Sequence, residues 1–321
     1  MSDINPSPAV LAAVASLLSL PAAAQNVPDD LRVFSYASQV NDVDAVNSHW
    51  FQTDAGVVLI DAQRLLPEAE RALAHLRATT ALPVVAIVIS HAHTDHYGGL
   101  PVWMEAFPEA QVYTDRATLA SIREDGRGFI AARGERHGDR FATQAALDEA
   151  VARAIVVEGG ERLEIGDAAL IFDVLAASEA ESHLVTEVEG ERTAFVGDLV
   201  NVGTPAVPFE DIDAWLMQLD ALEARFDPGD RLYIGHGPAP TDPAEIAEQR
   251  RYLEALRSGV SDALEDDGTL DTAEAEELVF TLEAGWPFYE GVAGLTRQEV
   301  LSFSVARIAE QLGGEVQGTD G

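Results

Sequence analysis

The segment that most constrains this chain is a polar knot set at the end of an apolar run. Val84-Val85-Ala86-Ile87-Val88-Ile89 has the continuous β-branched character of a strand buried on both faces. It leads straight into Ser90-His91-Ala92-His93-Thr94-Asp95-His96-Tyr97-Gly98-Gly99, which holds three of the chain's eight histidines within six residues. Imidazoles and a carboxylate in such a place carry a large desolvation cost unless they are paired or bound to metal. His91 and His93 are two apart, so an irregular turn can point both rings at one ion, while Asp95 and His96 can face a neighbouring one. Nitrogen and oxygen ligands of this kind suit zinc, and also iron or manganese. The absence of cysteine removes thiolate metal sites, iron–sulfur clusters, disulfides and thiol nucleophiles.

Around the knot, strand and helix patterns alternate. Val57-Val58-Leu59-Ile60 reads as a short buried strand ending at Asp61. Residues 65–79 have helical spacing, with Leu65, Ala69, Leu73 and Leu76 on one side. Strand, helix, strand and then a polar cluster is an α/β arrangement with its chemistry at strand ends. A further strand is predicted over 110–114. Residues 123–148 are rich in Arg, Gly and acidic groups, and their weak hydrophobic pattern predicts an excursion over the surface. Strand patterns resume over 153–157, 169–174, 184–188 and 192–196, with a turn at Glu189-Gly190-Glu191, and predict a second sheet. A helix over 211–222 and a strand at Leu232-Tyr233-Ile234 precede Gly235-His236-Gly237. Beyond Pro243 the patterns are helical, over 246–257, 271–282 and 297–312. With no fixed-period repeat and no interdomain linker, the economical reading is a catalytic domain over 25–242 and a helical extension over 243–321. Trp286, Phe288 and Leu295 would dock that extension on the same core.

His-x-His-x-Asp-His after an apolar strand, continued by Gly98-Gly99, resembles the signature of the metallo-β-lactamase-fold hydrolases. The similarity covers roughly residues 31–241. It implies an α/β fold of the αββα sandwich type with two metal ions. His183 would join His91 and His93 on the first ion, although Glu181-Ser182-His183-Leu184 stands where the family usually has Gly-His-Thr. Asp198, in Phe195-Val196-Gly197-Asp198, would bridge the ions, and His236 would join Asp95 and His96 on the second. The 90-residue interval from His93 to His183 implies an insertion, placed at about 120–150, which could cover the site. Asp61 is a candidate for orienting a ligand histidine through its carboxylate. Tyr97 and Asn201 are candidates for facing substrate, whereas His49, His75 and His137 read as structural or solvated.

The resemblance implies a zinc-dependent hydrolase with two Zn²⁺ per chain, in which a metal-bridged hydroxide cleaves an ester, lactone, thioester or lactam in a small-molecule substrate. Asp95 would orient the nucleophile and shuttle its proton. The alternatives are a mononuclear iron dioxygenase of the same fold and a non-catalytic member. No Gly-x-Ser-x-Gly, His-Glu-x-x-His, Gly-x-Gly-x-x-Gly or Walker loop offers other chemistry.

Charge narrows the partners. Twenty Lys+Arg against 55 Asp+Glu leave a formal net charge of -35, which repels phosphate backbones and anionic headgroups. Neither nucleic acid nor a membrane is an expected partner. The acidity is dispersed, as befits a solvated surface in a saline medium. Residues 9–20, AVLAAVASLLSL, followed by Pro21 and Ala22-Ala23-Ala24, read as a signal peptide over 1–24. The predicted location is periplasmic or secreted, or cytoplasmic if that run is not a signal.

Overall fold

The computed structural model describes residues 31–38, 46–264, 268–286, 288 and 295–317. The signal-peptide reading over 1–24 lies outside the described residues. Six strands form the first sheet in chain order: β1 (Val33–Ala37), β2 (Asn47–Gln52), β3 (Val57–Ile60), β4 (Val84–Val88), β5 (Gln111–Thr114) and β6 (Ile155–Val156). The β1–β2 and β2–β3 pairs are antiparallel, and the rest are parallel. The second sheet contains β7 (Arg162–Ile165), β8 (Ala168–Ala176), β9 (Ser182–Val188), β10 (Thr193–Gly197) and β11 (Arg231–Ile234), in the order β11-β10-β9-β8-β7. Its one parallel pair is β10–β11.

The period-2 alternation of strand side chains sorts the apolar residues into three layers. Val58, Ile60, Ala86 and Val88 of the first sheet meet Leu170, Phe172, Leu184, Phe195 and Tyr233 of the second, forming the middle of the sandwich. Their strand neighbours Val57, Leu59 and Ile87 face the opposite way, into a core shared with helices. These include α1 (Leu66–Thr79), α2 (Thr94–Tyr97), α3 (Leu100–Ala106), α4 (Arg116–Glu124), α5 (Phe129–His137) and α6 (Gln144–Ala150). On the far side of the second sheet, Val185, Ala194, Val196, Leu232 and Ile234 pack against α7 (Ile212–Arg225), α8 (Ala244–Leu264), α9 (Thr272–Gly285) and α10 (Arg297–Gln311). A short parallel pair, β12 (Thr269–Leu270) and β13 (Glu315–Val316), ties the start of α9 to the end of α10. The fold is thus an αββα sandwich with C-terminal helices.

Three sequence expectations change. The strand predicted over 153–157 does not join the second sheet; as β6 it pairs in parallel with β5 at the edge of the first, Tyr113 opposite Ile155. The stretch over 123–148 is helical rather than a surface excursion, and Ile122, Ile130, Phe141, Ala142 and Leu147 are buried in the first helical layer. Its apolar pattern is weak because α5 buries only Ile130. Caps supply what the pattern lacks: Asp115 accepts from the Ala117 and Thr118 amides, and Thr143 from Ala146. In the extension, Trp286 and Phe288 do pack against the core, stacking edge-on to Tyr252. Leu295 instead stays 40% exposed. Among the described residues no helix is long and apolar enough to cross a membrane.

Candidate metal centre

Four strand ends deliver the predicted residues to one place. Past β4, His91 forms an antiparallel bridge with His183 of β9, and Leu184 N–H donates to Ser90 O at 2.7 Å, so the two sheets touch here. Parallel β10 and β11 run side by side, so Asp198 and His236 leave the same end of the second sheet. Only glycine fits at 235: a Cβ there would lie 1.8 Å from Asp198 Oδ1 and 2.8 Å from His96 Cε1.

Beneath the site, residues 61–65 form a tight loop between β3 and α1. Asp61 and Gln63 both have positive φ, 61° and 70°, a backbone state costing on the order of 1–3 kcal/mol for a non-glycine residue. The loop holds two buried side chains against the knot. Asp61 accepts from Ser90 N–H and Ser90 Oγ, each at 2.8 Å, and lies 2.8 Å from His96 Nδ1. This leaves His96 Nε2 pointing into the site, the arrangement that fixes a ligand imidazole's orientation. Arg64 Nη2 is 3.1 Å from Asp95 Oδ1, and its Nη1 donates to Thr94 Oγ1 at 3.0 Å. Gly98 and Gly99 let this loop approach, since Cβ atoms there would stand 2.2 Å from the Arg64 and Ala62 carbonyl oxygens.

The potential ligand atoms gather in two groups, each within 4.8 Å: His91, His93, Glu179 and Asp198, then Asp95, His96, Asp198 and His236. Asp198 belongs to both. Its Oδ2 lies 3.7, 3.3 and 3.1 Å from Nε2 of His91, His96 and His236. Sequence reasoning missed Glu179, which lies between β8 and β9. Its Oε1 is 3.5 Å from His93 Nδ1, and its Oε2 is 3.9 Å from His183 Nε2. His183 stands beside the first group, not within it. Its ring stacks on His91 at 4.2 Å, and Ser178 Oγ shares a hydrogen bond with its Nδ1.

Nε2 of His91, His93, His96 and His183, Oε2 of Glu179 and Oδ1 of Asp198 are all buried without a hydrogen-bond partner. So many orphaned polar atoms in one buried spot is costly, and divalent cations are the chemistry that would satisfy them. Protonation follows the same division. Burial pushes His91 well below the ordinary imidazole range, His93 to about 4 and His183 to about 3, so these rings are neutral bases. Burial acts likewise on His96 and His236, but Asp198 and the other carboxylates outweigh it and hold both well above that range. Burial would raise Asp95; Arg64, His96 and His236 together keep it well below the usual carboxylate range. Burial, and then Asp198, hold Glu179 well above the usual carboxylate range, and His236 and His96 do not outweigh them.

A family model of the metallo-beta-lactamase superfamily matches residues 41–236. The chain belongs to this superfamily. Among similar proteins is the lactamase-like protein ptaB of Pestalotiopsis fici, 23% identical over 261 residues, covering 78% of this chain and 71% of that one. Ribonuclease TTHA0252 of Thermus thermophilus is 27% identical over 128 residues, which are 39% of this chain and 28% of the ribonuclease. The stereoselective inverting sec-alkylsulfatase Pisa1 of Pseudomonas sp. superposes with a TM-score of 0.60 at 20% identity, covering 90% of this chain and 51% of the alkylsulfatase. The chain therefore spans about a quarter of that ribonuclease and about half of that alkylsulfatase.

In this metallo-beta-lactamase superfamily member, a cavity of about 300 Å³ opens from the two groups. Arg64, His93, Asp95, Glu179, Asp198 and His236 form its polar end. Its walls come from both regions flanking the catalytic strands: Phe129 and Arg133 of α5, and Leu295, Val300 and Phe303 at and within α10. Asn201 also lines it, with its amide donating to Asp198 O at 2.8 Å. Tyr97 does not line this cavity; it is buried in the first helical core. His49 sits between the sheets, pairing with Ser35 Oγ and Ile234 O, and His75 packs its ring on Tyr36 and Trp50. His137 ends α5, half-buried.

Proposed function

We propose that this chain is a binuclear zinc hydrolase of small carboxylic-acid derivatives, cleaving an ester, lactone, thioester or lactam bond. The observation that carries this reading is the convergence of orphaned imidazole and carboxylate atoms into two groups that share Asp198. His91, His93 and Glu179, with His183 alongside, would hold one ion; Asp95, His96 and His236 would hold the other, with Asp198 between. When bound, such ions supply Lewis acidity and lower the pKa of a coordinated water to about 7. The protein's own part is positional. Arg64 fixes Asp95 through Oδ1 and turns Oδ2 towards the site, 3.1 Å from His236 Nε2, where it would orient an attacking water and shuttle its proton. Asp61 and Ser90 hold His96 in one orientation. A substrate seated against the apolar walls would exclude bulk water from the polar end and so strengthen the electrostatic interactions there.

A ribonuclease among the relatives makes RNA a substrate to test, but a net charge of -35 opposes a polyanion at this site. The deciding experiment is elemental analysis of protein purified without chelator, with the same sample assayed on a lactone, an ester, a thioester, a cephalosporin, an alkyl sulfate and an RNA. Two zinc ions per chain and metal-dependent turnover of a carboxylic-acid derivative are the expected result. One iron per chain with oxygen consumption, or no turnover after metal is added, overturns the proposal.

A further inference from the structure

The cavity has a polar end and an apolar end, and the apolar end is an aromatic ladder. The His93 ring stands edge-on to Phe209, with centroids 5.1 Å apart, and Phe209 meets Phe303 at 5.5 Å. Phe129 braces the inner rungs, 6.0 Å from His93 and 6.3 Å from Phe209. The ladder thus runs from a candidate metal-binding histidine to α10. Val207 and Val300 complete the walls. At the outer end, Phe303 is 45% exposed and Leu295 is 40% exposed. Isolated exposed apolar side chains need no explanation. Here two of them line the same cavity, and Phe303 continues a ring ladder that starts at the metal groups, so the wet apolar surface leads directly to the chemistry.

Resting on the hydrolase reading above, we propose that the substrate carries a linear apolar chain of about six to eight carbons, seated along Phe209 and Phe303 with its scissile group at the polar end. The cavity of about 300 Å³ has room for roughly ten non-hydrogen atoms at ~30 Å³ each. A short polar substrate would leave the ladder wet. The extension is thereby a specificity element: α10 supplies the wall that measures the chain.

The test separates binding from turnover. Binding of butan-1-ol, hexan-1-ol and octan-1-ol to the full-length, metal-free protein is followed by calorimetry. Each buried methylene is expected to tighten binding about fourfold, and octanol to bind roughly two hundredfold tighter than butanol. In the zinc-loaded enzyme, kcat/KM for thioesters and esters is expected to rise in parallel up to about eight carbons and then level off. Lengthening the acyl chain in one series and the alcohol or thiol in the other assigns the side of the scissile bond that enters the cavity, and a preference in either series supports the proposal. Phe303→Trp, at a half-exposed position that tolerates bulk, should lower the octyl-to-butyl ratio at least tenfold in both assays. Equal affinity for the three alcohols, or a ratio unmoved by Phe303→Trp, overturns the inference. Chain-length-dependent binding with no turnover of any substrate supports it and overturns the hydrolase reading alone.

Discussion

Arg64 allows the electrostatics of the site to be tested without touching a candidate metal ligand. Arg64→Met removes the guanidinium and keeps most of the stem's volume. Both members of the Arg64–Asp95 pair are 5% exposed, so the variant takes one of three cationic partners from a buried carboxylate and leaves His96 and His236. Deleting one partner so that a buried charge is left uncompensated costs about 3–5 kcal/mol, and with His236 still beside Asp95 the loss here should fall at the low end, ~3 kcal/mol. The metal-free protein should lose that much in urea unfolding at pH 7. In the loaded protein, a cation beside Asp95 Oδ2 replaces the lost charge, so the loss should be less than half as large. The two losses and the two metal affinities close a thermodynamic cycle. Arg64→Met must therefore bind zinc more tightly than the parent, by the difference, because a competing cation has gone. Unfolding of both forms and competition with a chelator measure all four edges. Equal destabilisation of the two forms, or weaker zinc binding on an unchanged metal-free fold, refutes the assignment of Asp95 as a carboxylate shared between Arg64 and a metal.

Two other predictions follow from the same geometry. Glu179→Gln should reduce bound zinc from two ions per chain towards one, as measured by elemental analysis, whereas full occupancy would remove Glu179 from the ligand set; His183→Gln run beside it shows which of the two residues carries the first group. His49 is lowered to about 4 by burial, against about 6.5 in an unfolded chain, so the unfolded state gains its proton first as pH falls. Its contribution to stability is complete above pH 6.5 and is lost on the way down to about pH 4, on the order of 2 kcal/mol between pH 7 and 5. His49→Gln should flatten that part of the urea-stability profile, and an unaltered slope would exclude His49 as its source.

The histidine knot and the strands around it were legible because each rests on local pattern, whereas the αββα sandwich came through resemblance. Continuous β-branched runs mark β3 and β4, and a strand-end residue needs no long-range information to be placed at a strand end. Asp61 could be read the same way, from its position directly after Ile60. Asp198 and His236 became readable only through resemblance, since nothing in Gly197-Asp198 or Gly235-His236 by itself says that β10 and β11 lie parallel and adjacent. Glu179 was hidden because it sits among ordinary acidic residues, and 55 acidic side chains give a single functional one no contrast. The helices over 116–150 were missed for a related reason. Hydrophobic periodicity reports burial, and a helix that buries one residue shows little of it, so Asp115 and Thr143 as caps were the signal to follow. Arg64 was overlooked because its pairing with Asp95 depends on the positive-φ turn between them and β3.

The aromatic ladder divides the labour of the chain in a way that bears on how such a protein changes over time. The residues that would hold metal sit at the ends of paired strands, where one shift of register disturbs several of them together. Two of the rings that would measure a substrate, Phe129 and Phe303, sit on α5 and on a C-terminal helix, neither of which carries a predicted ligand. Substitutions at Phe303, which meets His93 only through Phe209, can therefore redraw the guest list while the reactive machinery stays untouched. Drift in taste and constancy in chemistry are, in this architecture, inherited from separate stretches of the gene.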